Sequence, residues 1–199
     1  PTGVLSLDKA MKVFGFPKGR VVELYGENGS GKTMLALLAI GECQRAGGRA
    51  AYIDMECTYD EAFAALLGVD HKNLFYSMPG TAEQALDTID ELAKTGAFDI
   101  IVVDSVANMV PKAELDGTMG DQQMGLLARI MSKGLRKLTN TLARTQTCMV
   151  FINQMRLKIG MVFGDPRTTP GGKALAFYAS MRIEVTAGGK DSKLKKIYY

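Results

Sequence analysis

One stretch of eight residues decides the fold of this chain: Gly26-Glu27-Asn28-Gly29-Ser30-Gly31-Lys32-Thr33. It satisfies the pattern G-x-x-x-x-G-K-[ST] at every constrained position. Glycines allow a sharp turn that aims backbone N–H groups at an anion, and a helix start adds unpaired donors and partial positive charge. The pattern therefore predicts a loop that binds the phosphates of a nucleoside triphosphate, with all eight residues contributing to it.

The residues on either side of the loop fit the context that the pattern needs. Residues 21–25 form an apolar run typical of a buried strand, and residues 34–46 are rich in Ala, Leu and Ile, which favours a helix. We therefore expect Lys32 to contact the β- and γ-phosphates and the Thr33 hydroxyl to hold Mg²⁺. A chance match or an inert glycine turn is the alternative, and the flanking pattern argues against it.

Apolar runs alternate with helical periodicity along the rest of the chain. We predict strands at residues 21–25, 50–54, 74–77, 100–104, 149–153 and 181–185, and helices at 32–46, 61–67, 82–95 and about 124–145. This alternation is typical of an α/β fold, in which helices cover both faces of a mostly parallel twisted sheet. We expect the core to span residues 1–186, followed by a tail at 187–199 that is a remnant of the last strands of the sheet.

Composition narrows the class of protein. The chain has 199 residues, 47% of them hydrophobic and 23% charged, and no apolar run approaches the length that crosses a bilayer. The three cysteines are far apart, and His71 is the only histidine, which argues against a zinc site and a Ser-His-Asp triad. With no signal peptide at its start and unpaired cysteines, we expect a cytoplasmic protein with no membrane contact.

The net charge of +3 hides an asymmetry along the chain. Residues 1–121 contain 10 basic and 18 acidic residues, whereas residues 122–199 contain 14 basic and 3 acidic residues. This asymmetry suggests that the second half binds a polyanion, and a solvated basic face is the alternative.

Two acidic side chains follow predicted strands at their carboxyl ends, where ligands bind in such sheets. Asp104 ends the apolar run at 100–104, and beside the glycine-rich loop we expect it to hold Mg²⁺, with Ser105 in the same shell. Glu56 lies just beyond the run at 50–54, and we expect it to orient or deprotonate the attacking water. Asp54 is the competing candidate for that role.

Gln154 ends another predicted strand and begins a long segment with four glycines and two prolines, up to residue 172. An uncharged amide at this position can sense the γ-phosphate by hydrogen bonding, which makes the segment a candidate switch. Residues 156–164 interleave cations with apolar side chains and glycines, which suits contacts to phosphates and between bases. A hydrophobic loop that binds a protein partner is the alternative.

The helix predicted at about residues 124–145 carries a basic stripe, which consists of Arg129, Lys133, Arg136 and Lys137.

Together these residues resemble the RecA family of DNA strand-exchange proteins, and its bacterial branch closely. The resemblance runs from the first residues to about residue 185, which makes it more specific than the glycine-rich loop alone. Besides that loop, it is carried by residues 2–8, 53–56, 101–107, 111–114, 151–154, 158–160 and 168–172.

The resemblance implies a P-loop NTPase with a RecA-like core, which binds ATP and Mg²⁺ and hydrolyses ATP when DNA is bound. Glu56 matches the catalytic glutamate of the family and Gln154 its γ-phosphate-sensing glutamine, and Lys32 completes the implied catalytic set. Asp60 and Phe63 match positions near the adenine base, where the bacterial proteins usually have Tyr in place of Phe63. Stacking survives that change, but a hydroxyl hydrogen bond does not.

The resemblance also implies where DNA binds. Segments 114–125 and 155–172 resemble the two DNA-binding loops of the family, with Met124 and Ile159 as the side chains that separate bases. The positions assigned to DNA binding are Met124, Arg129, Ser132, Arg136, Arg156, Lys158, Ile159, Phe163, Gly171 and Gly172.

The implied partners are single- and double-stranded DNA, in recombination, repair and the response to DNA damage. The N-terminal helix, the polymerisation strand and the C-terminal domain of the family lie outside the matched residues. Self-association into helical filaments is therefore expected once the N-terminal segment is supplied. Two other interpretations stay open: a helicase-type motor on the same fold, and a non-catalytic nucleotide-switched binding module or filament scaffold.

Overall fold

A computed structural model describes residues 1–117, 125–157, 167–187, 190–191 and 196–197. The strands are β1 (Val21–Gly26), β2 (Ala50–Asp54), β3 (Leu74–Ser77), β4 (Ile100–Asp104), β5 (Cys148–Gln154), β6 (Arg156–Leu157), β7 (Arg167–Thr168), β8 (Met181–Glu184), β9 (Lys190–Asp191) and β10 (Lys196–Ile197). Six of them form one sheet in the order β3-β2-β4-β5-β1-β8, and every pairing in it is parallel.

Helices join these strands. They are α1 (Leu5–Ala10), α2 (Lys32–Arg45), α3 (Glu61–Leu66), α4 (Ala82–Thr95), α5 (Lys112–Asp116), α6 (Leu126–Thr145) and α7 (Ala174–Tyr178). Short 3-10 turns lie at His71–Asn73 and Val106–Asn108. None of the helices in the described part of the chain is long and apolar enough to cross a membrane.

Alternate residues of the central strands build a core on each face of the sheet. On one face Ile53, Val103 and Phe151 pack with buried residues of α4 and α6. On the other face Tyr52 and Val102, which come from the same strands, pack with buried residues of α2 and α3. This period of two is expected for strands covered on both sides. The prediction of an α/β core with helices on both faces is confirmed.

The register of the sheet brings the predicted functional residues to one edge. Gly26, where the glycine-rich loop begins, pairs with Gln154 at the end of β5. Asp54 pairs with Asp104 at the ends of β2 and β4. Parallel strands share the direction of their carboxyl ends, so the loop, the two acids and the glutamine lie beside one another.

The structure adds elements that sequence periodicity does not predict. The helices α1, α5 and α7 have five or six residues, less than two helical turns, and so give only a weak periodic signal, although α3 is as short and was predicted. One of them, α5, overlaps the start of segment 114–125, which resembles a DNA-binding loop. The helix predicted from about residue 124 begins at Leu126, after Gly125 at a φ of 78°.

The second predicted loop and the predicted tail are described in part. Between Gln154 and Gly172, β6 and β7 pair antiparallel, with Arg156 opposite Thr168. In the tail at 187–199, β9 and β10 pair antiparallel.

Candidate functional site

The glycine-rich loop connects β1 to α2, and the Lys32 side chain folds back onto the backbone of this loop. The Lys32 ammonium donates to the carbonyl oxygens of Gly26 at 3.1 Å and Glu27 at 2.6 Å. A Cβ on Gly26, whose φ is 158°, would lie 2.0 Å from the carbonyl oxygen of Val185, so only glycine fits there. Burial lowers the pKa of Lys32, and the nearby carboxylates of Asp104 and Glu56 oppose that shift.

The first residues of α2 face the acid that ends β4. The Thr33 hydroxyl donates to Asp104 Oδ2 at 2.6 Å, and the Tyr52 hydroxyl donates to the same oxygen at 2.9 Å. Burial raises the pKa of Asp104, and the carboxylates of Glu56 and Asp54 raise it further, while the two hydrogen bonds lower it.

This donor set fits Mg²⁺. A carboxylate and a hydroxyl offer only oxygen ligands, which a hard divalent cation prefers. Among the described residues no group of three or more His, Cys, Asp or Glu could hold a metal by itself. Mg²⁺ held by one carboxylate and phosphate oxygens of a nucleotide is the usual arrangement in such sites. The side chains of Thr33 and Asp104 are therefore suited to an ion that arrives with a nucleotide.

Glu56 lies at the centre of a second group of side chains. Its Oε1 accepts a hydrogen bond from the Ser105 hydroxyl at 2.6 Å and another from Gln154 Nε2 at 3.0 Å. The amide oxygen of Gln154 in turn accepts from an Arg156 guanidinium nitrogen at 2.7 Å. A continuous series of hydrogen bonds thus leads from Glu56 to the first residue of β6.

The carboxylate of Asp54, the competing acid, is hydrogen-bonded to the backbone of the turn that follows it. Its carboxylate accepts the N–H groups of Glu56, Cys57 and Tyr59 at 2.8–3.1 Å, and the Tyr76 hydroxyl at 3.0 Å. Asp54 is also buried. These contacts fix the turn that carries Glu56, and Glu56 rather than Asp54 lines the cavity beside the glycine-rich loop.

One cavity of about 270 Å³ is lined by all the predicted catalytic and metal-holding residues and by four of the ten residues predicted to bind the nucleotide. Its lining consists of Asn28, Gly29, Lys32, Thr33, Glu56, Asp104, Ile152 and Gln154. Asp60 and Phe63, predicted near the base, do not line it. Asp60 caps α3 by accepting the Phe63 N–H at 2.9 Å, and the Phe63 ring is partly exposed.

A separate open depression of about 360 Å³ lies on α6 and is lined by Ala128, Arg129, Ser132, Lys133 and Arg136. The predicted pair Gly171 and Gly172 lies against the same helix, because a Cβ on Gly172 would come within 2.7 Å of the Ala128 Cβ. Three predicted DNA residues of α6 are therefore brought together with this glycine pair, and Lys133 joins them. We call this surface the α6 basic surface.

One residue of the predicted basic stripe and one of the predicted DNA-binding residues stand apart from this surface. Lys137, which the sequence placed in the stripe, instead pairs with Asp90 of α4 at 2.7 Å. Arg156 donates to Gln154 and so belongs to the nucleotide side. The remaining predicted positions, Met124, Lys158, Ile159 and Phe163, lie outside the described residues.

Comparison with known proteins decides the family. A family model described as the RecA N-terminal domain matches residues 1–197. The chain belongs to the RecA family. It is 56% identical to Protein RecA of Francisella philomiragia over 189 residues, which cover 95% of this chain and 52% of that protein. It is 54% identical to Protein RecA of Francisella tularensis subsp. novicida, over 95% of this chain and 53% of that protein. The chain spans about half the length of the curated relatives it matches.

This RecA-family site also contains residues that sequence reasoning missed. Tyr52 lies inside an apolar strand and reaches Asp104, 52 positions away. Glu23, buried in β1, accepts hydrogen bonds from Arg182 at 2.6 Å and from Asn153 at 3.1 Å. The available signal is a polar residue within an otherwise apolar strand, since a buried polar group requires a partner. That signal reveals that a partner exists but does not identify it.

Proposed function

We propose that this chain is the ATP- and DNA-binding core of a RecA-type recombinase, with residues 1–186 forming the core. It acts as a DNA-dependent ATPase whose nucleotide state controls its hold on single-stranded DNA during pairing and strand exchange. The observation that carries the proposal is the hydrogen-bond series from Glu56 through Gln154 to Arg156, because it links the phosphate cavity to the segment leading to the α6 basic surface.

The residues that line the cavity have different roles in ATP hydrolysis. The backbone N–H groups of residues 26–33 and the Lys32 ammonium bind the β- and γ-phosphates of ATP. Thr33 and Asp104 hold Mg²⁺, which neutralises charge on the phosphate oxygens when bound. Glu56 accepts the proton of the attacking water, and its contacts with Ser105 and Gln154 hold the carboxylate in place.

Gln154 gives the site its response to nucleotide. Its Nε2 donates to Glu56, and a γ-phosphate in the cavity offers oxygen acceptors that compete for this donor. Movement of the amide toward phosphate also shifts the oxygen that accepts from Arg156. The two states of this amide therefore provide a physical route from phosphate to the segment that follows β5. We also propose that copies of the whole protein associate into filaments on DNA.

The proposal is tested by ATP turnover of the purified protein, measured with and without single-stranded DNA. We expect Mg²⁺-dependent turnover that rises severalfold when the DNA is added, since occupancy of the DNA surface favours the ATP-bound arrangement of Gln154. Nucleotide binding without turnover in both conditions would indicate a nucleotide-switched binding module. Strand unwinding without strand exchange would indicate a helicase-type motor.

The α6 basic surface makes its own prediction. Arg136→Ala removes one exposed cation from this surface, and we expect it to weaken single-stranded DNA binding about 5-fold at low salt and to reduce the salt slope of log K by about 0.7. Fluorescence anisotropy of a labelled oligonucleotide across a salt series measures both quantities.

Arg144→Ala is the matched control, since Arg144 is an exposed arginine two turns further along the same helix and outside the α6 basic surface. We expect it to change the affinity by less than the Arg136 variant at every salt concentration. Equal losses in both variants would show that the chain binds DNA through net charge alone.

A further inference from the structure

A tyrosine lies fully buried in the middle of β2, among apolar residues. Tyr52 is 1% exposed, and its neighbours across the sheet are Val102 on β4 and Tyr76 on β3. A phenol hydroxyl that is removed from water needs a hydrogen-bond partner. The partner is Asp104 Oδ2, at 2.9 Å, and within the described residues it is the only group that this hydroxyl contacts by a hydrogen bond.

The two hydrogen bonds to Asp104 are unequal in what they can do once nucleotide binds. Both Thr33 and Tyr52 donate to Oδ2, and in the part of the chain that the structure describes no hydrogen bond reaches Oδ1. Thr33 lies in the first turn of α2 and lines the phosphate cavity, so its hydroxyl is accessible to whatever binds there. Tyr52 does not line the cavity, so a bound nucleotide has no direct access to its hydroxyl.

The Tyr52 ring is held by two other tyrosine rings, so its hydroxyl has little freedom to leave Asp104. The ring centroids of Tyr52 and Tyr59 are 5.2 Å apart, and those of Tyr52 and Tyr76 are 6.4 Å apart with the rings nearly parallel. Tyr59 and Tyr76 contact each other at 5.0 Å. Offset and tilted aromatic pairs of this kind stabilise a fixed ring position. We call these three residues the tyrosine cluster.

We propose that Tyr52 is a positioning residue for the metal-holding carboxylate: its hydroxyl fixes the plane of Asp104 so that Oδ1 is presented to the Mg²⁺ that accompanies the nucleotide. This inference rests on the proposed function, in which Thr33 and Asp104 hold that ion. Groups that hydrogen-bond to a metal ligand orient it and tune its affinity for the metal. A tyrosine with a purely structural role would instead contribute to folding and leave the coupling between metal and nucleotide unchanged.

The test compares the nucleotide affinity with Mg²⁺ and with EDTA in Tyr52→Phe, which removes only the hydroxyl. A fluorescent ATP analogue is titrated against the protein in each condition. The dissociation constant in EDTA divided by the dissociation constant in Mg²⁺ measures how strongly the metal favours nucleotide binding. We expect Tyr52→Phe to reduce this ratio roughly 3- to 10-fold and to leave the affinity in EDTA unchanged. Tyr59→Phe is the control, because Tyr59 belongs to the same cluster. The Tyr59 hydroxyl lies 3.4 Å from His71 Nδ1, and within the described residues it makes no hydrogen bond to Asp104 or Asp54. We expect the control to leave the ratio unchanged.

The outcomes separate this inference from the function on which it rests. An unchanged ratio in Tyr52→Phe, beside a wild-type protein that binds nucleotide with Mg²⁺ dependence, overturns the positioning role alone. Equal weakening in Mg²⁺ and EDTA also overturns it, since that result describes a structural tyrosine, and thermal unfolding of the variant gives the loss of stability. A wild-type protein that binds no nucleotide at any Mg²⁺ concentration overturns both.

Discussion

Lys32→Ala is expected to weaken the binding of Mg²⁺-ATP at least about 100-fold and to abolish measurable turnover. The Lys32 ammonium donates hydrogen bonds to the carbonyl oxygens of Gly26 and Glu27 in the glycine-rich loop. Lys32 also lines the cavity that Asp104 and Glu56 line. Without this cation, the two carboxylates face the phosphates of ATP with no positive side chain from the cavity lining between them. The measurement is a titration of a fluorescent ATP analogue, followed by phosphate release at saturating ATP.

Lys9→Ala is the control for Lys32→Ala, since Lys9 is an exposed lysine of α1 and its loss changes net charge by the same amount. We expect the control to bind and hydrolyse ATP like the wild-type protein. Turnover that survives in the Lys32 variant would contradict the proposed mechanism. It would mean that the glycine-rich loop is a structural turn and that ATP is held elsewhere.

The part of the fold that the sequence predicted well is the part with strong local patterns. The apolar runs of β1, β2, β4 and β5 and the long helices α2, α4 and α6 are all where periodicity placed them. The functional edge followed from one rule about parallel sheets, because Asp104, Glu56 and Gln154 each end or follow a strand. Predicting that these residues lie together required no knowledge of the strand order, since the carboxyl ends of all strands lie at one edge of any parallel sheet.

The contacts that the sequence did not predict depend on the order of strands and the packing of helices. Lys137 belongs by spacing to the basic stripe of α6, but α4 packs beside α6 and its Asp90 takes the ammonium at 2.7 Å. Tyr52 meets Asp104 because β2 and β4 are neighbours in the sheet. Helical spacing and strand alternation describe one element at a time, so neither can specify a partner on another element.

A buried group around Glu23 shows what such long-range contacts contribute to the site. Glu23 of β1 is fully buried and accepts from Arg182 of β8 and from Asn153 of β5. Asn153 Nδ2 also donates to the carbonyl oxygen of Pro170 at 3.1 Å, just before Gly171 and Gly172, which lie against α6. The segment after Gln154 is thus attached to the nucleotide site at both ends, by Gln154 with Arg156 at one end and by Asn153 with Pro170 at the other. In the proposed switch, a change at Gln154 would act on a segment whose far end lies beside the α6 basic surface.

Glu56→Gln is expected to reduce ATP turnover at least about 100-fold while changing the affinity for Mg²⁺-ATP by less than about threefold. Glutamine keeps the shape of glutamate and retains an oxygen that can accept from Ser105 or Gln154, which now donate to Glu56 Oε1. It cannot accept a proton from water, so the chemical step is lost and binding is kept. Single-turnover hydrolysis measures that step, and the fluorescent titration measures binding in the same preparation.

Glu61→Gln supplies the matched control for Glu56→Gln, because Glu61 is an exposed acid in the first turn of α3, five residues beyond Glu56. We expect wild-type turnover in that variant. Retained turnover in Glu56→Gln would transfer the role of proton acceptor to Asp54, the other acid in this turn, despite its four hydrogen bonds to the structure around it. A parallel loss of binding and turnover would instead mean that Glu56 holds the cavity together through Ser105 and Gln154. Only loss of turnover with binding intact agrees with an acid that touches the water and not the nucleotide.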